Sequence, residues 1–136
     1  MRLPFVLLST AAALIGCSST DPGSVELAGS YTATVLRVTP AGQGVLDVLA
    51  AGGSLTIVVT GSNTTTGTLS IPASVNGGVP FVASMAGTAT LSGSTVQFQQ
   101  TADTFVRDLS WTLTANSLSV NGQLVSGDTY TITLTK

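Results

Sequence analysis

From Gly29 to the end of the chain, apolar residues recur at every second position, and most of the residues between them are Thr or Ser. Successive side chains of a β-strand point to opposite faces, so a period of two predicts strands that bury one face and expose the other. Thr and Val, which are stiff at χ1, strengthen this prediction. Eight strands are predicted, at residues 31–35, 55–59, 68–71, 89–91, 95–99, 105–114, 118–124 and 129–135.

Short connections that contain Gly or Asn join the later strands: Ser92-Gly93-Ser94, Ala115-Asn116-Ser117 and Ser126-Gly127-Asp128. Such connections predict hairpins between neighbouring antiparallel strands. An eight-stranded antiparallel meander with one apolar face is expected to close into an up-and-down β-barrel, because closure removes the exposed edges. The predicted fold class is therefore all-β. An immunoglobulin-like sandwich remains open, since the first half of the chain has longer connections.

Two segments interrupt the alternation. Between Gly44 and Gly53 the apolar residues fit helical spacing and precede Gly52, which predicts one short helix after the first strand: Val45, Leu46, Val48 and Leu49. This segment would form either a lid over one barrel end or an apolar loop packed against the rim. The glycines and prolines of residues 72–84 predict a mobile loop.

Polar side chains make up the outward faces of the predicted strands, which argues against a transmembrane pore with its apolar outer band. Charged residues are only 7% of the chain. After Arg2, the cations are Arg37, Arg107 and Lys136, against six acidic residues. Without a basic patch, neither nucleic-acid binding nor electrostatic docking on anionic lipid is expected.

The N-terminus has a different pattern. Arg2 precedes an apolar run from Leu3 to Ile15, the length and polarity of a signal peptide. The run ends in Leu14-Ile15-Gly16-Cys17, which resembles the lipobox of bacterial lipoproteins. The resemblance implies recognition of Leu14, Ile15 and Gly16 by the signal peptidase, cleavage before Cys17 and a palmitate-containing lipid anchor on the Cys17 thiol.

Cys17 is the only cysteine in the chain, so it cannot form an internal disulfide, and lipidation explains its presence. The predicted organisation is a cleaved signal peptide at 1–16, a lipidated cysteine and flexible tether at 17–27, and a barrel domain at 28–136. Ser18 is not the Asp that retains many lipoproteins at the inner membrane. The chain is therefore expected in the bacterial cell envelope, anchored to the outer membrane.

The start of the first strand, Leu27-Ala28-Gly29-Ser30-Tyr31, resembles the Gly-x-Trp start of the first lipocalin strand, with Tyr31 in the Trp position. The domain from Leu27 to Lys136 resembles the bacterial lipocalin-like lipoproteins. This resemblance implies a barrel that binds a small hydrophobic molecule or lipid inside. It also implies that Arg107 packs over Tyr31 or Trp111, as a lipocalin arginine packs on the first-strand aromatic.

The residue types available limit the chemistry. There is no histidine, and the single cysteine is assigned to the lipid, so the common catalytic and metal-binding constellations are excluded. We expect no enzyme activity, no metal and no cofactor apart from the covalent lipid. Arg107 shares the parity of Phe105 and Leu109, which predicts that it points inward. Its role there is either a cation–π contact or recognition of a ligand carboxylate.

Two functions remain open from the sequence. Eight strands enclose an interior that side chains fill or that holds one small ligand. The inward residues are mostly large, and Gly87 and Ala89 are the predicted source of any space. The barrel therefore either binds a small hydrophobic molecule or is a filled structural or protein-interaction domain. The candidate interior and ligand-contacting residues are Tyr31, Gly87, Ala89, Phe98, Phe105, Arg107, Trp111 and Tyr130.

Overall fold

The computed structural model describes residues 25–136. The predicted signal peptide and the residues Leu14, Ile15, Gly16 and Cys17 lie outside the described residues. Ten strands and one short α-helix are present in the described part, with a 3₁₀ turn at Ala73–Val75. They are β1 (Gly29–Thr39), β2 (Leu46–Asp47), β3 (Ser54–Val59), β4 (Thr64–Ile71), β5 (Phe81–Ser84), β6 (Gly87–Ser92), β7 (Thr95–Gln100), α1 (Phe105–Asp108), β8 (Trp111–Leu113), β9 (Ser117–Val125) and β10 (Asp128–Thr135).

Eight of these strands form a closed antiparallel barrel in the order β1-β3-β4-β6-β7-β8-β9-β10, and β10 pairs back with β1. The closing register places Leu36 opposite Ile132. Neighbours in the barrel are also neighbours along the chain once β2 and β5 are set aside. The predicted eight-stranded up-and-down barrel is therefore confirmed, and the sandwich alternative is wrong.

Strands β2 and β5 are additions to the barrel. β3 pairs with β1 only over Gly29–Thr32, and β2 pairs with the later part of β1, opposite Arg37 and Val38. β5 lies on β4 in line with β6: β5 pairs with residues 68–71, and β6 pairs with residues 64–65. The prediction that residues 72–84 form only a loop is thus wrong, because β4 is long enough to pair with a further strand there.

Because eight strands alternate in direction, the chain enters and leaves the barrel at the same end. We call this the closed end and define it by Leu27, Tyr31 and Lys136. The Tyr31 hydroxyl donates to the Leu27 carbonyl oxygen at 2.7 Å. Lys136 Nζ donates to the Glu26 carbonyl oxygen at 2.6 Å and lies 5.4 Å from the centre of the Tyr31 ring. We call the opposite end the open end; it carries segments 40–53, 72–80, 101–110 and 126–127.

Large side chains from the inward faces fill the barrel interior. Trp111, Tyr31 and Phe98 are almost fully buried. The Trp111 ring meets Phe98 edge-on with ring centres 5.8 Å apart. Its indole N–H donates to the Val106 carbonyl oxygen at 3.1 Å, which ties α1 to the core. Aromatic and branched side chains in this close arrangement supply most of the apolar burial that stabilises the barrel.

The predicted helix between Gly44 and Gly53 is wrong. The segment begins with β2 and continues as a turn in which the Asp47 carboxylate accepts from the Ala50 N–H at 3.0 Å. The Gly53 N–H donates to the Val48 carbonyl oxygen at 2.8 Å, so the glycines end one tight turn and not a helix. A short helix has a costly nucleus, whereas pairing with the free part of β1 and a side-chain-capped turn satisfies the same backbone groups.

The predicted strand over residues 105–114 is only partly right. Phe105–Asp108 forms α1, and the strand is limited to Trp111–Leu113. Val106 and Leu109, three residues apart, are both fully buried, which is helical spacing. The spacing of Asp103 and Arg107 is also helical, because residues four apart lie on one face and these two form an ion pair. The residues of this helical turn also fit an alternating pattern of polar and apolar residues, which is why a strand was predicted there.

A candidate binding site at the open end of the barrel

A cavity of about 460 Å³ lies at the open end, above the filled interior. All four open-end segments or their flanking strands contribute to its wall. Most of the lining residues are apolar, but the wall exposes polar and apolar atoms in about equal measure, and two amides, one phenol and one carboxylate are among its groups. The lining residues are Val38, Pro40, Gln43, Leu46, Val48, Ile71, Val75, Asn76, Gly77, Phe105, Asp128 and Tyr130. This volume is typical of sites for small organic ligands.

The first wall of the cavity comes from the end of β1 and the turn that follows β2. The Val48 N–H donates to the Leu36 carbonyl oxygen at 2.9 Å, which holds Leu46 and Val48 beside Val38. The Ala50 N–H, and after it the Arg37 guanidinium, hold the pKa of Asp47 below its usual value. The ionised Asp47 thereby stabilises this turn. The sequence allowed residues 44–53 to form either a lid over one barrel end or an apolar loop packed against the rim. The structure shows an apolar segment packed at the rim.

Two aromatic rings form a stacked pair in the cavity wall. Phe105 comes from α1 and Tyr130 from β10, and their ring centres are 4.7 Å apart with an angle of 23° between the planes. α1 is held in place by the Trp111 indole, so the position of Phe105 depends on the filled core. The stack gives a flat apolar surface on which a ligand ring or alkyl chain can pack.

Tyr130 also provides the phenol of the cavity. Burial raises the pKa of Tyr130, and the nearby carboxylates of Asp128 and Asp108 raise it further. The phenol is therefore neutral across the physiological range, and its hydroxyl can donate a hydrogen bond to a ligand.

Asp128 brings the carboxylate to the cavity. It follows the two-residue β9–β10 turn, in which Ser126 and Gly127 both have positive φ, at 52° and 92°. This is the type I′ geometry that suits a hairpin, and it confirms the hairpin predicted at this site. Asp128 Oδ1 accepts from the Ala41 N–H at 3.3 Å, which links the turn to the segment after β1.

Arg107 does not occupy the interior position predicted for it. Its guanidinium pairs with Asp103 and with Asp108, the latter at 3.7 Å, and it lies over neither Tyr31 nor Trp111. The prediction is wrong because residue 107 belongs to a helical turn, where strand parity does not apply. The cation over the Tyr31 ring is Lys136.

The interior space predicted beside Gly87 and Ala89 is also not found. A Cβ on Gly87 would overlap the Gln99 carbonyl oxygen and approach the Gln100 Cα to 2.6 Å, so this glycine allows β6 and β7 to lie close together. Ala89 is buried in the core. Of the predicted interior residues, only Phe105 and Tyr130 line the cavity; Tyr31, Phe98 and Trp111 belong to the filled interior.

Most of the cavity residues were not predicted as site residues. Leu46, Val48 and Val75 lie in the two segments that break the alternation, and those interruptions were the available signal. Asp128 was assigned only to a turn. Sequence alone does not show which open-end segments converge, because that depends on the closure of the barrel.

No protein-family model matches this chain, and neither a curated protein nor a solved structure matches it. Within residues 25–136, no helix has the length and hydropathy needed to cross a membrane. In that same part of the chain, no three acidic, cysteine or histidine side chains come close enough together to hold a metal ion. The cavity combines apolar side chains, hydrogen-bonding groups and one carboxylate, which is chemistry that suits binding.

Proposed function

We propose that this protein is a membrane-anchored binding protein that holds a small apolar molecule in the open-end cavity. The observation that carries the proposal is the cavity of about 460 Å³ between Val38, Val75 and the Phe105–Tyr130 stack. The apolar side chains of the wall favour a ligand that leaves water, and the polar groups beside them can orient it. The proposed role is binding and not catalysis, since the chain has no histidine and its one cysteine is Cys17.

The proposed anchor is a lipid on Cys17, at the outer membrane of a bacterial envelope. Support comes from the sequence Leu14-Ile15-Gly16-Cys17 and from Ser18 after it. β1 begins at the closed end, so a tether from Cys17 would join the barrel there. The cavity mouth would then lie at the end of the barrel away from the point of attachment.

Binding is tested with an uncharged fluorescent naphthalene probe titrated into the segment from Ser18 to Lys136. This segment contains the whole closed barrel, from β1 to β10. We expect saturable binding that is lost in Val75→Trp, because the indole fills the cavity. Val79→Trp is the matched control, since Val79 is 64% exposed and does not line the cavity. Equal probe binding by the two variants would show that the cavity is not the binding site.

Anchoring is tested by growing cells with a palmitate analogue and following its incorporation into the full chain. We expect label on the wild type and none on Cys17→Ala. A wild type without label, or a Cys17→Ala variant that keeps it, contradicts the anchor and leaves the cavity proposal intact.

A second function, docking of a protein partner, is favoured by one observation. β5 pairs with β4 on one side only, and Val82 within β5 and Val79 just before it are 68% and 64% exposed. An open edge with apolar neighbours can receive a strand from another chain. Val82→Lys is expected to abolish such docking without changing probe binding in the cavity.

A further inference from the structure

The cavity wall carries a negative charge and no positive one among its described residues. Asp128 is the charged residue of the lining. It accepts a hydrogen bond from the Ala41 N–H, and none of the three ion pairs in residues 25–136 includes it. A carboxylate with this surrounding is available to a ligand group that carries a positive charge.

The two arginines at the open end form ion pairs with aspartates that do not line the cavity. Arg37 Nε lies 3.4 Å from Asp47 Oδ2, and the Arg107 guanidinium contacts two aspartates. Neither arginine lines the cavity. The open end has four aspartates and these two arginines, which leaves a formal charge of −2. A ligand carboxylate entering the cavity would therefore lose water without gaining a cation, and it would approach a like charge.

The aromatic stack also favours a positively charged ligand. Phe105 and Tyr130 both line the cavity, and the faces of aromatic rings attract cations. Asp128 lies two residues before Tyr130 on β10, and side chains two apart on a strand share a face. An ammonium group at this place can approach the carboxylate while the rest of the ligand packs on the rings.

We propose that the open-end cavity selects apolar ligands that carry an amine over apolar ligands that carry a carboxylate, with Asp128 as the residue that determines this preference. The inference rests on the proposed function and names the ligand class for the same cavity. It separates this barrel from a carrier of fatty-acid anions, which would require a cation in the lining.

The test compares three probes with one apolar body: phenylbutylamine, phenylbutanol and phenylbutanoate. Binding to the segment from Ser18 to Lys136 is measured by titration calorimetry at low ionic strength. We expect the amine to bind about tenfold more tightly than the carboxylate, with the alcohol between them, as one partly exposed charge interaction allows. Added salt should reduce the ratio, because it screens the carboxylate.

Asp128→Asn keeps the size of the side chain and an oxygen for the Ala41 N–H, so the hairpin should fold. In this variant the preference for the amine should fall to about twofold or less. Glu26→Gln removes the same charge at the closed end and should keep the full preference.

Three outcomes overturn the inference. If phenylbutanoate binds as tightly as the amine and both are lost in Val75→Trp, the cavity binds ligands but the ligand class is wrong. If the amine preference survives in Asp128→Asn, Asp128 does not determine it. If none of the three probes binds, the proposed function fails together with the inference.

Discussion

The two ends of the barrel are built from the same alternating strands but have opposite properties. At the closed end, Tyr31 and Lys136 donate hydrogen bonds to backbone carbonyl groups beside Leu27. At the open end, residues from the connections and from the flanking strands surround a cavity of about 460 Å³. A few side chains are enough to cover the closed end, whereas the longer connections at the open end leave a space between them. A small barrel can thus keep a filled interior and still offer a site at its rim.

The largest expected effect comes from removing the side chain that ties the open end to the core. Trp111→Ala leaves a cavity and loses the hydrogen bond to Val106, so we expect a loss of about 3–5 kcal/mol in the free energy of unfolding. Denaturant unfolding measures it. Leu124→Ala, at a site 67% exposed, is the control and should change stability by about 0.5 kcal/mol or less. Similar losses in both variants would show that Trp111 does not hold the core.

The next effect concerns where the barrel has space. Gly87→Ala should destabilise by about 1–3 kcal/mol, because its Cβ overlaps the backbone of β7. Gly44→Ala is the matched control: nothing lies within 4 Å of a Cβ there, so the change should be within about 0.5 kcal/mol. A Gly87→Ala variant as stable as the wild type would show that there is space beside Gly87 in the barrel wall. The contrast between the two ends of the barrel would then be weaker.

Lys136 at the closed end should contribute more to the free energy of unfolding than Arg107 at the open end. Lys136→Met loses two hydrogen bonds and the contact with the Tyr31 ring, so we expect a loss of about 1 kcal/mol. Arg107→Met loses only partly exposed ion pairs and should cost about 0.5 kcal/mol or less. Thermal melts of the two variants compare them directly. A larger drop for Arg107→Met would reverse the assignment of the structural cation.

The smallest effect appears only at alkaline pH. Because burial, Asp128 and Asp108 raise the pKa of Tyr130 in the folded state, its contribution to stability is fully present below the unfolded pKa of about 10. It is lost as the pH rises through the folded value. Unfolding free energies of the wild type and Tyr130→Phe should therefore diverge above about pH 10, where the wild type loses more. Parallel curves would argue against a buried phenol beside these carboxylates.

The fold could be predicted from the sequence because one signal repeats along the chain. The alternation around Leu55, Leu69 and Ile132 places each of them fully buried on an inward face. At the β9–β10 turn, Gly127 has the positive φ that its residue type favours. These features act over a few residues, so they can be recognised without knowledge of the partner strand.

The site could be predicted only in part. Phe105 and Tyr130 were expected to point inward, and both line the cavity, but they were expected in the barrel interior. The misassigned helical turn placed Arg107 on the wrong face. The apolar spacing of residues 44–53 suited a helix in isolation, while the part of β1 that β3 leaves unpaired, at Arg37 and Val38, offered β2 a strand to pair with. Contacts of this kind override local preference.

By itself, the sequence determined the alternating strands, their hairpins, the all-β class and the scarcity of charge and catalytic side chains. Each of these depends on residue type and local spacing. Only the tertiary structure decided that the interior is filled, that Lys136 and not Arg107 lies over Tyr31, and that the space is at the open end. Those properties depend on which distant segments meet when β10 pairs with β1, and barrel closure brings together residues that no local pattern relates.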